Sequence, residues 1–228
     1  MEDISQHYLS APQRALQGER TLSIDEMTGI QALERARPSL PMRPGKVECR
    51  EFEYIRHGSQ TLIANFDVVT GKVVTPTIDD QRTEADFSAH CQRLIASDPK
   101  ACKWHLMMDC LNIHQSESLV RWIANLEGLS QQTLGVKGKS GILESMSTRT
   151  QFLTNPDHKV VFHFTPKHCS WLNQIEIWFS ILTRKLLQRG NFSSKTDLKQ
   201  QILDFIDYFN QQLARPFQWT FKGKLLAA

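Results

Sequence analysis

The run Trp104-His105-Leu106-Met107-Met108-Asp109 is too short to be a helix between its neighbours and too apolar to lie on the surface. It reads as a buried strand. A strand of this kind is normally parallel to its neighbour and reached through a crossover helix. The helix is present upstream: Thr83 with Asp86 forms a capping-box pair, and Phe87, Cys91, Leu94 and Ile95 recur at helical spacing up to Ser97. Asp98-Pro99 ends it. Further upstream, Glu51–Arg56, Thr61–Val69 and Lys72–Thr77 are strand-like runs, separated by His57-Gly58-Ser59 and by the turn Thr70-Gly71. They imply an antiparallel meander. Downstream, Leu119, Val120, Trp122, Ile123 and Leu126 mark a second helix, and Lys159–Thr165 (KVVFHFT) is another buried strand. The expected class is α/β, a mixed sheet with antiparallel strands first and parallel strands later, flanked by helices.

The remaining segments set the domain plan. Residues 1–20 are polar, contain Pro12 and read as a linker. Thr21–Asp25 is a short strand expected to stop at the acidic pair Asp25-Glu26, and RPSLPMRPG (37–45) is a loop. Residues 128–158 are rich in Ser, Gly and Thr and look like an insertion, with a short helix around Glu144–Leu153. Two closing helices are expected, Trp171–Arg189 with Ser170 as cap and Gly190 beyond its end, and one after Ser194 with Leu198, Ile202, Phe205, Ile206, Phe209 and Leu213 as its stripe. The core domain then covers 21–213 and a tail 214–228. Phe217, Trp219 and Phe221 in that tail, followed by Lys222 and Lys224, either stack on bases or pack on the core.

With 228 residues, 40% hydrophobic and 22% charged, the chain can bury a self-sufficient core. Five cysteines without a CxxC pair argue against a secreted disulfide framework. No apolar run approaches a membrane span, so the expectation is a cytoplasmic protein without a membrane partner. The net charge of +3 conceals an asymmetry: residues 1–158 carry 17 basic against 20 acidic side chains, residues 159–228 carry 10 against 4. A basic final third suits a polyanionic partner, or a solvated helix face.

Asp25 and Asp109 both end strands. Neighbouring parallel strands converge at their carboxyl ends, and two carboxylates held together there call for a cation or a proton between them. Glu176 offers a third, in a polar column with Asn173 and Ser180. Spacing alone favours a solvent-facing boundary position for it.

The motifs SIDEMTGIQALER (23–35), MMDCLNIHQS (107–116) and TPKHCSWLNQIEIWFSIL (165–182) resemble the three signature blocks of DDE transposases in the bacterial insertion-sequence branch of the mariner-like superfamily. The resemblance runs from about Tyr8 to Gly223. It implies a ribonuclease-H-like fold with Asp25, Asp109 and Glu176 as the metal-binding catalytic acids. It also implies two Mg²⁺ ions, replaceable by Mn²⁺, about 3.5 to 4 Å apart for in-line phosphoryl transfer on double-stranded DNA. His114, Lys167, His168 and Asn173 would support the acids or the substrate phosphates. Arg184, Lys185 and Arg189 would follow the DNA backbone, and Lys137 and Lys139 either touch phosphates or are solvated. A homodimer on DNA, nucleoid association and a separately encoded N-terminal recognition part are further implications. Cys110 departs from the family's usual amide after the second Asp, and a catalytically inactive DNA-binding remnant is the rival reading.

Three decoys are set aside. Glu144 has 34 residues between it and Asp109, a family spacing, but lacks the strand and the WLNQIE context of Glu176, which has 66 residues in between. Cys102, His105, Cys110 and His114 imitate a zinc knuckle, but a strand through HLMM cannot wrap a tetrahedral ion. Gly138-Lys139-Ser140 ends like a phosphate-binding loop whose first glycine is missing, since Thr133 stands there.

Overall fold

The computed structural model describes residues 1–49 and 51–221. Its centre is a five-stranded sheet in the order β3-β2-β1-β4-β5. The strands are β1 (Glu19–Arg35), β2 (Tyr54–Asp67), β3 (Val73–Asp79), β4 (Lys103–Met108) and β5 (Val160–Phe164). β1, β2 and β3 are antiparallel neighbours, while β1–β4 and β4–β5 are parallel. The mixed sheet expected from the hydrophobic patterning is therefore present.

Helices cover both faces. On one, Leu22, Ile24, Leu106, Met108 and Phe162 pack with α2 (Glu84–Ala96), α3 (Glu117–Leu126) and α4 (Met146–Leu153). On the other, Leu62, Ala64 and Phe66 pack with α5 (Ile175–Leu182) and α6 (Lys195–Tyr208), and Met107 packs with α1 (Glu2–Leu16). Strand alternation sorts the residues: Leu22 and Ile24 face the first layer, so Ser23 and Asp25 face the second.

Four expectations need correction. Residues 1–20 are mostly helix α1, not linker: Ile4, Tyr8 and Ala11 recur on one face and are buried, which outweighs the hydrogen bond lost at Pro12. β1 does not stop at Asp25 but continues to Arg35, because β2 goes on pairing with it through two register shifts. His57-Gly58-Ser59 is strand interior rather than a turn, so the first two meander runs are one strand. The helix expected over 171–189 is broken into a 3₁₀ turn (Ser170–Leu172), α5 and a π turn (Thr183–Leu187).

Local signals held elsewhere. The Thr83–Asp86 capping box is formed, Ser194 caps α6, and the 128–158 segment carries α4 where a short helix was expected. That segment is fastened to the core through Leu134, Leu143 and Leu153. The tail packs rather than projecting: Phe217 stacks on Phe66 at 4.5 Å and Trp219 meets Tyr8 at 4.7 Å. Lys222 and Lys224 lie outside the described residues.

Gly71 shows how closely the tail approaches. Its φ is +70°, and a Cβ there would lie 2.1 Å from the Arg215 carbonyl carbon. Gly71→Ala should therefore destabilise the protein by about 2 kcal/mol or more in urea unfolding, combining left-handed backbone strain with a clash that no rotamer can relieve.

Candidate active site

The parallel pairing of β1 with β4 runs to Ser23 opposite Met107. Two residues further, where β4 has ended and β1 continues, the same register brings Asp25 level with Asp109. Asp25 faces the α1/α5 layer, and Asp109, just past the end of β4, is near enough for its charge to act on it. The acids thus meet at the end of one strand and the middle of another, which is why a strand-end argument found the pair although β1 does not end there.

Asn173 locks this corner. It is fully buried; its Nδ2 donates to the Ile24 carbonyl at 2.8 Å and to Asp25 Oδ2 at 3.1 Å, and its Oδ1 accepts from the Ser23 hydroxyl. Ser23 Oγ in turn accepts from the Ile175 N–H at 2.8 Å. A strand residue 152 positions away therefore caps α5. Ser170, the cap expected from local sequence, does not. Committing its side chain to β1 holds Asn173 in an extended conformation (ψ 110°), which interrupts the helix and puts Glu176 in the first turn of α5. That turn carries the positive end of the helix dipole.

Asp25 is 5% exposed and accepts the Glu26 backbone N–H at Oδ1, 2.8 Å away. Burial, reinforced by the charges of Asp109 and Glu26, raises its pKa to about 7. Glu176 is raised as well, by burial and by the charge of Asp109. Asp109 goes the other way: burial opposes ionisation, but the hydrogen bond and charge of His114 prevail and lower it. His114 Nδ1 sits 2.8 Å from Asp109 Oδ1, and its Nε2 is 3.2 Å from both oxygens of Glu26. Burial works against its charge, yet these two carboxylates hold its pKa up at about 10.

Glu26 and Arg82 are partners the sequence reading missed. The Glu26 side chain is fully buried and bound by Arg82 at 2.9 Å. Adjacency to Asp25 on a strand was the available signal for Glu26, since alternation turns it to the opposite face, under His114. Arg82 carried no signal.

The structure also sorts the remaining candidates. Lys167 and His168 are exposed in the loop between β5 and α5, and His168 takes a left-handed φ of +62°. Arg184, Lys185 and Arg189 come together with Tyr208 around a cleft of about 580 Å³. Lys137 and Lys139 belong to the other helical layer, away from the acids. Lys137 there lies 3.8 Å from both Glu84 and Glu117, with its side chain half exposed. Cys110, which departs from the family's amide, donates its S–H to the Thr165 carbonyl just beyond β5 at 2.9 Å. The zinc imitation dissolves: Cys102 bonds the Gln17 carbonyl, and His114 belongs to the acids. Glu144 is exposed ahead of α4 in the opposite layer.

The Asp25 shift has a measurable consequence. The folded protein holds this proton more tightly than the unfolded chain, where an aspartate titrates near ~4. Its contribution to stability is thus complete below that value and is lost as pH rises through about 7. In chelator, wild type should lose stability relative to Asp25→Asn across this window, read as a falling difference in melting temperature; a flat difference would refute the assignment.

The geometry and donor types suit divalent cations. Three carboxylates converge where the His114 charge is already shared with Glu26, leaving the corner short of positive charge, and all the donors are hard oxygens.

Comparison with known proteins bears on the fold and the family. The fold resembles a pre-cleavage Mos1 transpososome with a TM-score of 0.50 at 12% identity, covering 90% of this chain and 54% of that one. The Mos1 strand transfer complex gives 0.49 at 10% identity, with 90% and 52% covered. The chain therefore spans about half the length of these solved relatives, and its sheet is the ribonuclease-H-like one the resemblance implied. No curated protein matches. Residues 20–199 match the family described as DDE superfamily endonuclease, so the chain belongs to that family.

Proposed function

We propose that this chain is the catalytic part of a transposase that cleaves double-stranded DNA at transposon ends and transfers the strands to a target. The observation that carries the reading is the proximity of three acids, with the charge of Asp109 acting on both Asp25 and Glu176, in a chain of the DDE endonuclease family. In this reading the three acids hold two Mg²⁺ ions, with Mn²⁺ as substitute. When bound, the ions supply Lewis acidity to the scissile phosphate and activate the attacking hydroxyl or water.

The protein's own part is positioning. Asn173 fixes one Asp25 oxygen and the Glu26 N–H the other, so the carboxylate cannot rotate away from the corner. His114 holds Asp109 Oδ1, leaving Oδ2 for the ion, and Glu26 with Arg82 keeps that imidazole in place. Glu176 is half-buried and remains available at the rim. Lys167 and His168 at the lip, with Arg184, Lys185 and Arg189 beyond, offer a basic track for the DNA backbone. The catalytic unit extends beyond residues 21–213, because α1 and the tail both pack against it. A homodimer on DNA, and end recognition by a part encoded separately, complete the proposal.

The test is a labelled duplex carrying the element's terminal repeat, incubated with the chain and Mg²⁺ or Mn²⁺. Nicks with free 3′-hydroxyls that vanish in EDTA are expected. Salt-sensitive binding of the duplex without any cleavage in either metal would overturn catalysis and leave the inactive remnant.

A further inference from the structure

A second cluster of ligating side chains lies on the same sheet face, apart from the acids. His105 on β4 pairs in register with Thr21, four residues before Asp109, which puts it roughly 13 Å back along the strand. His163 on β5 stands level with Met107, so the two imidazoles share a face on adjacent strands. His7 comes down onto them from α1, its ring 3.7 Å from that of His163. One nitrogen from each of the three lies within 4.8 Å of the other two. A tetrahedral ion with imidazole nitrogens at ~2.0 to 2.1 Å needs its ligands about 3.4 Å apart. His105 Nδ1 and His163 Nε2 are already 3.0 Å from each other.

We propose that His7, His105 and His163 form a metal site for a borderline ion of the Zn²⁺ class, which staples α1 to β4 and β5. The surroundings are those of a ligand set. Glu19 Oε2 lies 2.9 Å from His105 Nε2, accepts its proton and leaves Nδ1 with a free lone pair, the carboxylate–histidine arrangement that orients metal ligands. His163 then donates to that lone pair in the absence of an ion. Moving its proton to its own Nδ1 frees the second nitrogen without any change in net charge. Arg14 now binds His7 Nδ1, and Glu19, 3.9 Å from Arg14 Nε, is its alternative partner when an ion takes that place. Burial keeps all three imidazoles neutral near neutrality, lowering His163 to about 2 and His7 to about 4. A cavity of about 520 Å³ lined by Asp3, His7, His105, His163 and Thr154 gives access and room for a fourth ligand. Imidazole donors prefer Zn²⁺ over Mg²⁺, so the two sites would sort their ions by ligand chemistry.

The test titrates the whole chain with Zn²⁺ against a chromophoric chelator, with Mg²⁺ in excess, and uses Co²⁺ as a spectroscopic probe. One equivalent should bind, the melting temperature should rise by several degrees, and Co²⁺ should show the visible bands of a four-coordinate nitrogen site. His7→Ala and His163→Gln should each weaken binding at least tenfold, while Asp109→Asn leaves it unchanged. His7 is half-buried on the helix surface, so His7→Ala is expected to fold even if His163→Gln does not. Full-strength binding in His7→Ala, loss of the ion in Asp109→Asn, or no bound equivalent in wild type would each overturn the site and leave the histidines as a hydrogen-bonded cluster.

Discussion

Asp109→Asn is expected to lower metal-dependent nicking by about 10³-fold or more while duplex binding stays intact. Asparagine keeps the shape of the side chain and can still accept from the Leu111 N–H, 3.0 Å away, and from His114. What it removes is the charge that would face the proposed ions. Several kcal/mol of transition-state stabilisation depend on metal held at the reacting phosphate, and each ~1.4 kcal/mol is a factor of ten. Nick formation on a labelled duplex and electrophoretic retardation of the same duplex separate the two effects. Wild-type cleavage by this variant would exclude Asp109 from the site.

The second large effect is on stability. Asn173→Ala is expected to cost roughly 2 to 4 kcal/mol in urea unfolding, because it leaves the Ser23 hydroxyl and the Ile24 carbonyl each short of a partner in a dry interior. Asn173→Asp sharpens the test. It preserves shape but places a second carboxylate beside Asp25, where the amide stood at 3.1 Å. Its destabilisation should therefore be greater at pH 8 than at pH 5, because the Asp25 carboxyl titrates at about 7. A pH-independent loss would mean that the amide serves packing alone.

How much was legible in the sequence depended on the range of the interaction. WHLMMD, the Thr83–Asp86 box and the Ser194 cap are short-range signals, and each formed where expected. The break before α5 was invisible, because its cause is Ser23, a residue from the other end of the chain. α1 escaped for a related reason: a helix that buries only one narrow stripe looks polar in composition, and Pro12 argued against it. The continuation of β1 was written in Ile30 and Ala32, which alternate with polar neighbours and are buried. It was overlooked because the acidic pair looked like a stop. Strand-end acids and the three family blocks pointed to Asp25, Asp109 and Glu176, the acids on which the proposed function rests. The buried support, Glu26 and Arg82, depends on which face a strand shows and which loop covers it, and only the assembled fold supplies that.

The Ser23–Asn173–Ile175 link also bears on the order of events in folding. It joins residues about 150 positions apart, so the acids meet only once nearly the whole chain has been wound into place. Contacts of such long sequence separation form late, after the costly loop closures have been made. A cation that binds the finished corner therefore has nothing to grip in the folding transition state. It should leave the folding rate unchanged and slow unfolding, so that its protection appears as a longer lifetime of the native state.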